Sequence, residues 1–232
     1  MPTIYPYLAE QELNKAVLTP MFDTLLAYMP DSIILGTGIF GLLTLSAPLM
    51  FLFLFELEAL FAQRLIAGGA QSVFPSLTAP DTNMKCKEGY YSNATRDRVS
   101  LLKLFGESGS FPVRPLFLIS GLFGYLMSSL LAFQEVIRNL DNDFQLRLTL
   151  AGAGSVLTLV LLYVYYMKAG CTTFFSGMTT VFFGLVIGAA CMALHKMFFG
   201  IESINFLGLP TLVSKAEKGS PLYVCAPTAG QQ

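Results

Sequence analysis

Four stretches of this chain run for the length of a membrane crossing without one charged residue: 33–55, 116–133, 148–167 and 169–194. The hydrocarbon core of a bilayer is about 30 Å thick, and an α-helix crosses it in about 20 residues. All four runs qualify, and 116–133 sits at the short limit. Barrel strands would need apolar and polar residues to alternate over about 10 positions, whereas these runs are apolar on every side. A helix also satisfies its own backbone groups, as lipid requires. The expected fold is therefore all-α: a polytopic membrane protein, a bundle of about four transmembrane helices with an amphipathic N-terminal arm and an extended C-terminal tail.

Composition points the same way. Of 232 residues, 54% are hydrophobic and only 12% charged, against about a quarter charged in soluble domains. Lipid is the natural cover for the excess apolar surface. A net charge of −1 supplies no field to recruit nucleic acid. Residues 1–30 hold one Lys and several acids, unlike a secretory signal or an Arg-rich transit peptide. The first membrane helix is expected to serve as the targeting signal. Trp is absent, so Tyr28, Tyr125, Tyr163, Tyr165 and Tyr166 are expected to supply interfacial anchoring.

The chain divides accordingly. Residues 1–32 read as an interfacial arm split by Pro20, and 33–64 as a first transmembrane helix with an extension, kinked at Pro48. Residues 65–114 form a polar connection in which 94–105 reads as a short amphipathic helix. Residues 115–197 hold the second to fourth spans, and 198–232 an extended, Pro-containing tail. Only Lys168, Ala169 and Gly170 separate the last two runs, so these should form an antiparallel helical hairpin. An even number of crossings puts both termini on one side. Seven Lys/Arg over 56–114, against one in the arm, orient that connection inward. The sequon Asn93-Ala94-Thr95 in the same connection would argue the reverse if glycosylated.

The most informative pattern is the spacing of small residues. Ser120, Gly124, Ser128 and Ala132 recur every four positions, as do Ser176, Thr180, Gly184 and Gly188. Such positions share one helix face and leave a shallow groove where another helix backbone can come close. These eight residues are the expected helix-packing faces.

Catalytic, cofactor and metal signals are missing from the pattern. No nucleophile elbow, phosphate loop, zinc helix or paired Cys occurs. Cys86, Cys171, Cys191 and Cys225 read as small buried hydrophobes, and Cys171 and Cys191 are too far apart along one helix to bond. His195 reads as an interfacial polar residue. Glu56 and Glu58 point different ways on a helix, so they make no acid/base dyad. Asp141-Asn142-Asp143 lacks the Gly and distal Glu of a calcium loop and reads as a solvated turn. Glu135, Arg138, Asp141, Asp143 and His195 are the residues an interfacial enzyme would have to use.

The expected role is a non-catalytic structural or accessory subunit, with the lipid bilayer and other membrane subunits as partners and no cofactor. An organelle energy-transducing complex and a membrane-containing virion are the two settings considered. A small oligomeric transporter or channel is the alternative, with Pro48 and the nearby glycines opening the first helix.

Overall fold

The computed structural model describes residues 19–73, 86, 90–92, 97–100, 111–134 and 144–206. Five long helices carry nearly all of them: α1 (Thr19–Thr44), α2 (Ala47–Val73), α3 (Arg114–Ala132), α4 (Phe144–Lys168) and α5 (Phe174–Phe199). A 3-10 turn, Ile201–Ile204, follows α5. The stretches Thr24–Thr44, Arg114–Ala132, Gln145–Lys168 and Phe174–Phe199 are each long and apolar enough to cross a membrane. The fold is a helical membrane bundle, as its apolar runs imply.

The run 33–55 is not one kinked span. It divides at Leu45–Ser46 into the end of α1 and the start of α2, which fold back on each other. A helix running through Pro48 would drive the proline ring into the carbonyl four residues earlier, that of Thr44, which is where α1 stops. Pro48 instead occupies the first turn of α2, where its missing N–H costs nothing. Leu45 takes a left-handed conformation (φ 49°) to make the corner, and the Ser46 amide donates to the Gly41 carbonyl at 3.2 Å. Gly38 faces the Phe53 ring and Gly41 faces Met50, so α1 and α2 run antiparallel.

Two other boundaries move. Residues 19–32, expected within an interfacial arm, continue α1 straight through Pro30; membrane helices tolerate proline where neighbours re-satisfy the freed backbone. The tail's first residues are not extended, because α5 continues to Phe199 and Ile204 is fully buried. Residues 1–18 and 207–232 lie outside the described residues. In the connection, Tyr90–Ser92 (β1) pairs antiparallel with Asp97–Val99 (β2), so the expected helix over 94–105 is interrupted by a strand. Paired aromatic and β-branched residues favour that pleat.

The remaining helices complete an up-and-down arrangement. The Gln63 side chain in α2 donates to the Pro112 carbonyl just before α3, so α3 begins beside the second half of α2. The α4–α5 hairpin closes through a tight turn in which Gly170 (φ 77°) supplies the left-handed residue. There the Cys171 amide reaches back to the Tyr166 carbonyl and the Gly170 amide to that of Met167, the two bonds of a Schellman cap. Thr173 then caps the start of α5 through the Ser176 amide. The described chain thus enters at one end of the bundle and leaves at the other. The expectation of both termini on one side concerns residues that lie outside the described ones.

Two apolar clusters fill the bundle. One gathers Phe55, Leu60, Phe117, Tyr125, Met192 and Ile204. The other gathers Leu116, Ile119, Leu159, Leu162 and Tyr166 around a Cys86–Cys171 disulfide. The reading of all four cysteines as plain hydrophobes is corrected for these two; Cys191 is buried and free. The two bridged residues are 85 apart in sequence, a pairing that spacing alone does not reveal.

Candidate functional site

The closest helix contact is between α3 and α5, and small residues make it. On α5 the buried residues are Gly177, Thr180, Gly184, Gly188, Cys191, Met192 and His195, a single stripe at helical spacing. A Cβ on Gly184 would stand 2.6 Å from the Phe117 carbonyl oxygen and would collide with the Ser120 hydroxyl. One on Gly188 would stand 2.8 Å from the Tyr125 amide nitrogen, and one on Gly124 would stand 2.9 Å from the Leu185 Cα. The backbones therefore touch. Partner positions rise together, Phe117 with Gly184 and Tyr125 with Gly188, so α3 and α5 are parallel. Without a hydrophobic drive inside lipid, such backbone approach supplies the van der Waals contact that holds two helices together.

Of the eight expected packing residues, Ser120, Gly124, Thr180, Gly184 and Gly188 are buried on the facing stripes. Ser128 is half-buried, and Ala132 packs on the Phe55 cluster. Ser176 is turned elsewhere: with Ile66, Ala70, Val73 and Phe183 it lines an apolar groove of about 460 Å³ between the end of α2 and the start of α5. Pro48 marks a corner rather than a kink. Two further glycines outside the expected set make close contacts: Gly121 against Phe55 and the Gly184 carbonyl in the seam, and Gly177 against the Tyr163 ring of α4. Each stands one position from an expected residue, Ser120 or Ser176, so a stripe read only at every fourth position passes them by.

At one end of this seam lies a buried polar network. His195 is 2% exposed, so its reading as an interfacial residue is corrected. Its Nδ1 is hydrogen-bonded to the Tyr125 hydroxyl at 2.9 Å, and its Nε2 lies 3.2 Å from Glu58 Oε2. The two ring nitrogens thus each have a hydrogen-bond partner, the Tyr125 hydroxyl at Nδ1 and the Glu58 carboxyl at Nε2. One ring thereby ties α5 to α2 and α3. Phe51 and Phe199 flank it, with centroids 5.4 and 6.2 Å from the imidazole. Below it, the Ser203 hydroxyl reaches the His195 carbonyl and the Ser129 hydroxyl reaches that of Ile204. The 3-10 turn so closes the end of α5.

A second polar group sits nearer the other end. Arg114, 1% exposed, donates from Nε to Gln63 Oε1 at 3.4 Å, and the Ser100 hydroxyl donates to Asp31 Oδ1 at 2.9 Å. Glu56 is buried on the same face of α2 as Gln63, with one carboxyl oxygen that meets no hydrogen-bond partner. Glu56 and Glu58 do point apart, one inward and one to His195. Among the described residues no group of three His, Cys, Asp or Glu is placed to hold a metal ion. Glu135, Arg138, Asp141 and Asp143 lie outside the described residues.

Compared with protein families, with curated proteins and with solved structures, the chain matches none. What the site can do follows from its own chemistry. The seam and the His195 network tie α2, α3 and α5 together, and Glu58 is the member of the network whose side chain stays partly exposed.

α4 differs from this core. It packs one face, with Leu159, Leu162 and Tyr166 buried, and exposes most of its length. Beside the packed face runs a second stripe of small residues, Ala151, Gly154 and Thr158, all exposed. A Cβ on Gly154 would meet nothing within 4 Å. The Thr158 hydroxyl is satisfied by the Gly154 carbonyl.

Proposed function

We propose that this protein is a non-catalytic structural or accessory subunit of a larger membrane protein assembly. An organelle energy-transducing complex or a membrane-containing virion would each suit a compact membrane bundle of this kind. The observation that carries this reading is the outward stripe Ala151, Gly154 and Thr158 on α4. A shallow groove along a lipid-facing helix invites a second helix backbone, whereas bulky apolar residues suit lipid better. The stripe on α3 and α5 is already used inside the chain; the one on α4 is open.

The test is the size of the particle that the protein forms after mild-detergent extraction from its native membrane. Wild type should travel in a particle several times its own mass, together with other proteins. Gly154→Leu should release it as a folded monomer with unchanged helical content. If the chain runs alone in wild-type form, or if Gly154→Leu leaves a large particle intact, the subunit reading is wrong.

A small oligomeric transporter or channel is the second reading, and Glu56 favours it. A carboxyl held inside a membrane bundle is a default mark of an ion or proton path. It expects ion or proton flux in liposomes that Glu56→Gln abolishes; liposomes without flux above the empty control dispose of it.

A further inference from the structure

We propose that the end of the bundle bearing the Cys86–Cys171 disulfide faces an oxidising compartment, such as an organelle lumen or the outside of a cell or virion. This is the reverse of the orientation that charge counting suggests. Persistent disulfides belong to such compartments and are rare where thiol reductants are kept reduced. The bridge is built into the packing. Cys171 takes the second position after the α4 helix cap, fixed by its amide bond to the Tyr166 carbonyl. Cys86 meets it from the connection that follows α2, with 5.3 Å between the Cα atoms. Both are buried against Val113, Leu116, Ile119 and Tyr166. Cys171 closes the α4–α5 turn, so one oxidation event ties Cys86, between α2 and α3, to that hairpin.

The fold also weakens the opposing argument. The positive-inside bias is a preference of Lys and Arg that sit free near the headgroups. Arg114 leaves that count because it is buried and bonded to Gln63. Because α1 and α2 fold back on each other, the described chain leaves α5 at the opposite end. Lys196 in the last turn of α5 and Arg147 in the first turn of α4 are also at that opposite end. Lys168, in the last turn of α4, stays at the disulfide end, so basic residues stand at both ends, and a covalent bond that needs oxidation decides between them.

Sealed microsomes from cells expressing the full chain provide the test. Two sites are read with a membrane-impermeant maleimide: Cys86 and Cys171 after reduction, and a cysteine placed by Arg147→Cys at the opposite end. Reduced Cys86 and Cys171 should label only after the vesicles are permeabilised, while the cysteine at 147 labels from outside without permeabilisation. The sequon Asn93-Ala94-Thr95 lies in the same connection, outside the described residues, and supplies a second readout by sequence alone. A mobility shift removed by endoglycosidase and by Asn93→Gln corroborates the lumenal placement. Labelling of reduced Cys86 and Cys171 in intact vesicles, or full alkylation of both without reductant, overturns it. A Cys86→Ser, Cys171→Ser double variant, which should lose both labels, identifies the signal.

Discussion

The α3–α5 seam makes the most direct prediction, because a single methyl group at one glycine should act with opposite sign from the same methyl at another. In Gly188→Ala the new Cβ would stand 2.8 Å from the Tyr125 amide nitrogen and closer still to the Gly121 carbonyl. Ordinary contact begins near 3.4 Å, so the helices must part by at least half an ångström. A gap of about 0.5–1 Å forfeits a quarter to a half of the dispersion well at each atom pair. If the seam holds about 50 pairs worth about 0.15 kcal/mol each, as around one buried leucine, the loss is about 2–4 kcal/mol. Replacing a helical glycine returns at most about 1 kcal/mol of backbone propensity. The net is destabilisation of roughly 1–3 kcal/mol, or a melting temperature lower by several degrees. Gly154→Ala adds the same methyl where nothing lies within 4 Å and should be neutral or slightly stabilising. Both are measured by thermal unfolding in the same detergent, followed by loss of monomeric protein on a sizing column. Equal midpoints for the two variants would refute the claim that backbone contact holds α3 to α5.

Further expectations concern the polar network and the bridge. Tyr125→Phe removes one hydrogen bond to His195 and should cost about 0.5–1.5 kcal/mol, whereas His195→Ala strips Glu58 and Tyr125 of their shared partner, opens a cavity, and should cost at least twice as much; an unchanged unfolding midpoint in His195→Ala would show that the network is idle. Cys86→Ser should lower stability by no more than about 4–5 kcal/mol, the loop-closure limit for 85 residues. Reductant should reproduce that loss in wild type and have no further effect on the variant; a second drop in the variant would count against a single bridge.

How much of this was legible beforehand depends on the range of each interaction. The apolar runs and the small-residue stripes are local, repeating every turn; three of the four runs coincide with membrane-length helices, and five of the eight expected packing residues fall on the seam. The reversal at Leu45 is hidden because hydropathy is blind to direction: 23 apolar residues look alike whether they form one helix or the two arms of a hairpin corner. Pro48 carried the signal, since its clash falls on Thr44, but one proline is compatible with a kink as well as a stop. The burial of His195 is not legible because its partners, Tyr125 and Glu58, stand 70 and 137 positions away; the packing of α5 on α3 brings the first to it, and the placement of α2 brings the second. The Cys86–Cys171 bridge was missed for the same reason. Burial of Glu56 and Arg114 follows from α2 lying inside the bundle, which in turn follows from the unforeseen corner.

The parallel pairing of α3 and α5 has a consequence for how the protein is made. Parallel neighbours in an up-and-down bundle cannot be consecutive, so α4 must be synthesised and inserted before α3 meets its main partner. At about 5–20 residues per second, the stretch from the end of α3 to the end of α5 takes several seconds to emerge. Throughout that interval the backbone-deep face of α3, from Ser120 to Tyr125, has only lipid, or whatever assists insertion, to cover it. Every nascent chain passes through this state. A ribosome that stalls within α5, or a truncation before Gly184, would leave the α3 face permanently uncovered, so that face is complete only once α5 has been made.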